Sequence, residues 1–208
     1  MVDSTSHPGD SAQSGTGTGI LLLAAGFGRR FGSDKRSTLL ADGESLLVAS
    51  TRRALASGLA VRVCLRPEDH ALAQALQSLG AAVIHCPRAG AGMGATLADG
   101  IARCGDWDGV LVALGDMPWV APESFRAVAR GLEKARLCRP SYRGESGHPV
   151  GFRRDLFGEL RRLEGDQGAR EIVRRHRAQL RDLPLEDPGI LRDIDRPADL
   201  DSGTPTPL

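Results

Sequence analysis

The order of apolar runs and amphipathic segments predicts a three-layer α/β fold, a mainly parallel sheet with helices on both faces. Three observations carry that prediction. The run "GILLLAA", residues 19–25, contains nothing polar and reads as a strand buried on both sides. A strand followed by a helix then recurs four times, at the spacing of βαβ units. The residues of unusual chemistry fall just behind those strands, where sheets of this kind bind their ligands.

The elements follow in order. "ESLLVASTRRALASG", residues 44–58, reads as a helix, with Leu47, Ser50, Thr51 and Ala54 at helical spacing and Gly58 as its stop. "AVRVCL" (60–65) is a second strand. "PEDHALAQALQSLG" (67–80) is a second helix, with Pro67 in its first turn and Gly80 at its end. "AAVIHC" (81–86) is the third strand, "GATLADGIARC" (94–104) the third helix, "GVLVAL" (109–114) the fourth strand and "PESFRAVARGLEKA" (122–135) the fourth helix. Near the end, "LRDI" reads as a short strand leading to Asp195. No internal repeat is visible.

Composition bounds the rest. At 208 residues and 41% hydrophobic content the chain suffices for one domain with its own core. Lys and Arg number 27 against 26 Asp and Glu, and the pI is about 7.8. That balance lacks the basic stripe of a double-stranded DNA binder and gives no pull towards acidic membranes. The four cysteines stand at least eighteen residues apart, so no C-x-x-C metal or redox motif exists, and they read as free buried thiols of a reducing compartment. No stretch approaches a membrane span. Residues 1–18, polar and rich in Gly, Ser and Thr, read as a disordered tail without features of a secretory signal; 19–200 read as the folded domain and 201–208 as a flexible tail. The expected location is cytoplasmic, with no nucleic-acid or membrane partner.

Behind the first strand, "GFGRRFGSDK" offers Gly26, Gly28 and Gly32 for tight backbone turns, with Arg29, Arg30 and Lys35 as cations. The dinucleotide fingerprint G-x-G-x-x-G is excluded, because the spacing here is one residue too long and the second strand ends in Arg66 rather than an acid. The Walker loop is excluded because Lys35 follows Asp34, not glycine. What is left suits a triphosphate with a departing pyrophosphate, or a merely solvated surface loop. "LGDMP" fixes Asp116 at the ligand edge of the sheet, as a hard ligand for Mg²⁺ beside phosphates or as a turn acid. In "DIDRPADL", Asp195 offers a second carboxylate to the same Mg²⁺ or caps a terminal helix; Asp193 is set aside by strand alternation.

Taken together and in this order, "LAAGFGRRFGSDK", "GMGATL", "LGDMP", "GHPVGF", "GDQGAR" and "DIDRPADL" resemble the MobA-like nucleotidyltransferases, over nearly the whole folded part. Within that family the likeness is to the molybdenum cofactor cytidylyltransferase branch, which joins CMP to molybdopterin. The resemblance implies a Rossmann-like nucleotidyltransferase fold in which Ala24, Ala25, Gly26 and the Gly28 loop hold the nucleotide and Arg30 and Lys35 neutralise the triphosphate. It implies that Gly94 and Thr96 approach base or ribose, that Asp116 and Asp195 hold Mg²⁺, and that His148 and Arg170 lie towards the acceptor. Lys35, Arg30 and Asp116 are then the catalytic set. Ala25, where the guanylyl-transferring branch tends to carry glycine, tilts the nucleotide to CTP. The implied partners are a nucleoside triphosphate, a molybdopterin-type acceptor, and a molybdenum hydroxylase or its chaperone as recipient.

The chain also departs from the pattern. Arg36, Ser37 and Thr38 interrupt the stretch behind the lysine, Phe31 stands for the commoner methionine and Gly28 for serine. Open alternatives are a guanylyltransferase of the same pathway, a nucleotidyltransferase for another small phosphate, a glycosyltransferase of related topology, and a nucleotide-binding module without turnover. His148 also reads as an ordinary loop histidine, and the arginines from Arg161 to Arg177 as a solvated helix face interleaved with glutamates.

Overall fold

The computed structural model describes residues 17–26 and 34–201. Its elements, in chain order, are β1 (Thr18–Leu23), α1 (Leu46–Leu55), β2 (Val61–Leu65), α2 (His70–Ser78), β3 (Ala82–His85), α3 (Met93–Ala102), β4 (Gly109–Leu114), α4 (Pro122–Leu132), β5 (Leu137–Tyr142), β6 (Glu145–Ser146), β7 (Val150–Arg153), α5 (Phe157–Leu160), α6 (Arg170–Arg175) and β8 (Leu180–Pro184). The eight strands form one mixed sheet. Strands β3, β2, β1 and β4 lie side by side and parallel. β7 then pairs antiparallel with β4, and β5 antiparallel with both β7 and β6. β8 lies parallel against β5.

Period-two alternation along β1 explains the layers. Ile20 and Leu22 enter one apolar cluster with Leu111, Ala113 and side chains of α1, α2 and α4. Leu21, with Val110 and Val112, enters a second one beneath α3, α5 and α6. Each fully buried leucine or isoleucine in these clusters is worth about 2 kcal/mol. The expected three-layer α/β class therefore holds. All four cysteines are free and buried.

The sheet is parallel from β3 through β4 and mixed beyond, and the later strands carry poor signals: "LCRPSY" contains Arg139 and Pro140, and β7 has four residues. Two expectations about single elements need correction. The strand expected at "LRDI" does not form; a 3₁₀ turn occupies Pro188–Leu191 and the chain continues without ladder partners. The helix expected from Pro67 starts at His70 instead, since the Asp69 carboxylate accepts the Arg66 backbone N–H and holds 67–69 in a turn. The tails at 1–16 and 202–208 lie outside the described residues, as do Gly28, Arg29, Arg30 and Gly32 of the glycine loop.

Candidate active site

Strand order reverses at β1, with β2 and β3 to one side and β4 to the other. At the carboxyl ends of such a reversal the flanking loops diverge and leave a crevice. Here it is a cavity of about 520 Å³. Ala24, Ala25 and Gly26 wall it behind β1, Gly115 and Asp116 behind β4, and Ala89 to Met93 behind β3. Lys35, Arg36, Thr96, Asp166, Asp193 and Asp195 also line it, with Leu23, Leu46 and Leu114 as its apolar part.

Lys35 opens a short 3₁₀ turn (Lys35–Ser37), which directs its side chain across the cavity. Its Nζ donates to Asp116 Oδ2 at 2.6 Å, to Asp195 Oδ1 at 3.1 Å and to the Ile194 carbonyl at 3.1 Å. Burial alone would ease the proton off; Asp116 and Asp195 outweigh it and raise the lysine's pKa above the ordinary value. The segment carrying Asp195 is fixed by the Ile194 N–H, which donates to the Asp116 carbonyl at 3.0 Å. Without the expected strand, alternation no longer sets Asp193 aside. It lines the cavity, and burial together with Asp195 and Asp116 raises its carboxyl above the usual range.

The donor set fits a divalent ion held partly by substrate. Among the described residues no three His, Cys, Asp or Glu side chains converge tightly enough to hold a metal unaided. Mg²⁺, however, is commonly bound by one or two carboxylates with phosphate oxygens and water. Asp116 Oδ1 is buried and has no hydrogen-bond partner among the described residues, which is a costly state for a carboxylate oxygen and an open position for a cation.

The wall behind β1 is built differently. Arg36, only 4% exposed, donates to the Ala24 carbonyl at 2.9 Å, to Asp34 at 2.6 and 2.8 Å and to both oxygens of Asp69. Arg66 donates to the Ala25 carbonyl at 3.3 Å and to the Gly26 carbonyl. Burial opposes the charge on Arg36, but Asp34 and Asp69 hold it protonated beyond its ordinary value. Arg36 in turn holds Asp34 below the carboxylate range, and it outweighs the burial of Asp69 to do the same there.

The other residues singled out by the sequence are placed unevenly. Thr96 is buried and lines the cavity, its hydroxyl donating to the Gly92 carbonyl at 3.1 Å. Gly94 sits beneath the "GDQG" turn: a Cβ there would meet the Gln167 carbonyl oxygen at 2.4 Å, and its N–H donates to the Gly165 carbonyl at 2.8 Å. Gly92, at φ +122°, is pressed against the same turn. These glycines thus let α3 approach the turn that brings Asp166 to the cavity. His148 stands just outside the lining, within electrostatic reach of Asp116 and Asp193; burial lowers its pKa, and its Nδ1 has no hydrogen-bond partner among the described residues. Arg170 opens α6 on the exposed surface away from the cavity lining. Asp166, Asp69 and Arg66 were not singled out as site residues by sequence; a carboxylate inside the "GDQGAR" motif was the available signal for the first.

The family model for the MobA-like NTP transferase domain matches residues 20–180. The chain belongs to this family. It is 28% identical over 195 residues to the purine catabolism protein PucB of Bacillus subtilis (strain 168), covering 87% of this chain and 93% of that one. Rv0371c of Mycobacterium tuberculosis H37Rv superimposes with a TM-score of 0.76 at 29% identity, over 88% of this chain and 95% of the other. Another Rv0371c structure is a complex with manganese, so divalent metal use occurs among these MobA-like proteins. A nucleotidyl transferase of Methanothermobacter thermautotroptrophicus (Mth528) shares the fold, with a TM-score of 0.74 at 21% identity over 89% of this chain and 94% of that one. This MobA-like chain is accordingly a member of a nucleotidyltransferase family, and among its described residues no helix is long and apolar enough to cross a membrane.

Proposed function

We propose that the protein transfers CMP from CTP to a molybdopterin-type acceptor, with Mg²⁺, and releases pyrophosphate. The observation that carries this reading is the convergence of Lys35, Asp116 and Asp195 in one cavity at the reversal of strand order. A phosphate oxygen of the acceptor attacks the α-phosphorus, a new phosphoanhydride bond forms, and the bond to the β-phosphate breaks. No protein nucleophile takes part, and an ionised acceptor phosphate needs no general base, so positioning and charge neutralisation supply the catalysis. Bound Mg²⁺ would supply charge neutralisation at the α-phosphate.

In this reading Asp116, through its unsatisfied Oδ1, and Asp195 hold the metal, and Asp193 adds negative potential beside them. Lys35, kept protonated by these carboxylates, stabilises the charge that develops on the leaving pyrophosphate. Arg30 is assigned the same task from the motif. Ala24, Ala25, Gly26, Gly28, Gly94 and Thr96 serve the nucleotide, and His148 and Arg170 the acceptor. A molybdenum hydroxylase or its chaperone is the expected recipient, and likeness to a protein named for purine catabolism accords with a recipient in purine breakdown.

The test is pyrophosphate release with Mg²⁺ and molybdopterin-type cofactor, comparing CTP, GTP, ATP and UTP. Release with CTP alone is expected. Release with GTP alone would move the protein to guanylyl transfer, and binding of nucleotide without release for any of the four would remove the acceptor assignment.

A further inference from the structure

Beyond β8 the chain returns to the cavity as an arm, residues 185–196, that joins no strand ladder. The arm carries Asp193 and Asp195, so whatever seats it also sets where Asp195 stands against Asp116. Its main seat is Asp187, only 9% exposed. Asp187 Oδ2 accepts the Ala121 N–H at 2.9 Å and the Ser124 hydroxyl at 2.6 Å, and Oδ1 accepts the Gly189 N–H at 2.9 Å. Ala121 is the N-cap of α4 and has no side-chain oxygen to serve the open amides of the helix. A carboxylate 66 positions later in the chain supplies that cap instead.

Further contacts press the arm against the same loop. A Cβ on Gly189 would meet the Trp119 carbonyl oxygen at 2.1 Å, so only glycine lets arm and loop approach this closely. The Arg192 guanidinium lies 4.0 Å from the centroid of the Trp119 ring. The Ile194 N–H then donates to the Asp116 carbonyl at 3.0 Å, one residue before Asp195. Asp116, Trp119, Ala121 and Ser124 lie on one continuous stretch behind β4. The two carboxylates that share Lys35 are therefore spaced by a latch that closes at Asp187, which is not part of the cavity lining.

We propose that Asp187 is a positioning residue of the metal site: by capping α4 from the arm, it fixes Asp195 relative to Asp116 and so sets the affinity of the pair for a divalent cation. Three donors converge on Asp187, which an acceptor-only carboxylate satisfies and an amide does not. Residues that orient metal ligands from behind are commonly worth about ten- to a hundredfold in metal affinity. The inference rests on the assignment of Asp116 and Asp195 to the metal and adds to it the residue that spaces them.

The test is Mn²⁺ binding to the full chain with CTP and without acceptor, read by electron paramagnetic resonance against CTP alone, for wild type, Asp187→Asn, Ser124→Ala and Asp195→Asn. Asp187→Asn keeps the shape but turns an amide group towards one of the three donors, and is expected to weaken Mn²⁺ about tenfold. Ser124→Ala removes one bond of the latch and should weaken it about threefold. Asp187→Asn that lowers the urea midpoint while the folded protein keeps the wild-type Mn²⁺ affinity would reduce Asp187 to a helix cap and overturn the proposal. If Asp187→Asn does not fold, Ser124→Ala decides by the same measure. Asp195→Asn with undiminished Mn²⁺ affinity, or wild type that binds no Mn²⁺, overturns the metal assignment beneath it.

Discussion

On the β1 side of the cavity two arginines meet two aspartates, every guanidinium is engaged, and the backbone is tied down at three successive carbonyls. On the β4 side, among the described residues, a single lysine faces Asp116, Asp193 and Asp195, and one buried carboxylate oxygen has no partner. The first wall is complete as folded. Among the described residues the second carries an excess of negative charge, whose cost would fall on arrival of a cation. Scaffolding and chemistry are thus separated by charge balance across a few ångströms of the same pocket, and substitutions on the two walls should fail in different ways.

The largest expected effect lies on the unbalanced wall. Asp116→Ala should lower turnover on the order of 10³-fold, with a thermal midpoint close to that of wild type, since it removes an unsatisfied oxygen along with its partnered one. Undiminished pyrophosphate release by this variant would sink the metal assignment. Lys35→Ala should cost on the order of 10²-fold in kcat/KM. A loss confined to stability, seen in denaturant titration, would return Lys35 to the role of a structural tether.

The balanced wall should respond through the fold. Asp69→Asn leaves the buried Arg36 short of a charge partner and should destabilise by about 3 kcal/mol in a urea titration. An unchanged midpoint would mean the arginines carry their own weight. Because Asp34 and Asp69 are held below their ordinary value of 3.8, the stability they add is complete above that pH and is lost as pH falls through the depressed values.

The smallest effect belongs to His148, outside the cavity lining but within electrostatic reach of Asp116 and Asp193. Burial holds its pKa below the ordinary 6.5, so below that pH the unfolded chain takes up a proton that the folded ring resists, and stability falls. Asp193 has the opposite sign: its raised pKa means that falling pH relieves a cost of the folded state. His148→Gln should therefore flatten the decline in thermal midpoint between about pH 7 and 5. An identical decline in the variant would assign the acid sensitivity elsewhere.

Much of this contrast was legible in the sequence, for reasons that can be traced. Buried parallel strands advertise themselves by unbroken apolar runs, so β1 to β4, and with them the ligand edge carrying Asp116, could be placed in advance. Lys35 and Asp195 were singled out too, but not their contact, which spans 160 positions and depends on the turn at Pro188–Leu191. The alternation argument about Asp193 loses its footing because the chain behind the 3₁₀ turn at Pro188–Leu191 forms no strand. The second half of the sheet was missed because its strands are short, charged and interrupted by Pro140. The arginine clamp was invisible for a different reason: an arginine bound to backbone carbonyls leaves no pattern in residue types, only the oddity of Arg36 directly behind Lys35.

The long reach from Lys35 to Asp195 also bears on how the protein is made. Chains fold broadly from the N-terminus as they leave the ribosome. The strand exit and its arginines are available early in synthesis, whereas Asp193 and Asp195 emerge only after every member of both apolar clusters. A product released before residue 193 would keep both apolar clusters almost whole, losing only Ile194 from their surroundings, and still lack Asp193 and Asp195. Such a fragment would hold nearly the whole core while lacking two of the three acids of the β4-side wall, so packing is settled by residues that precede those carboxylates.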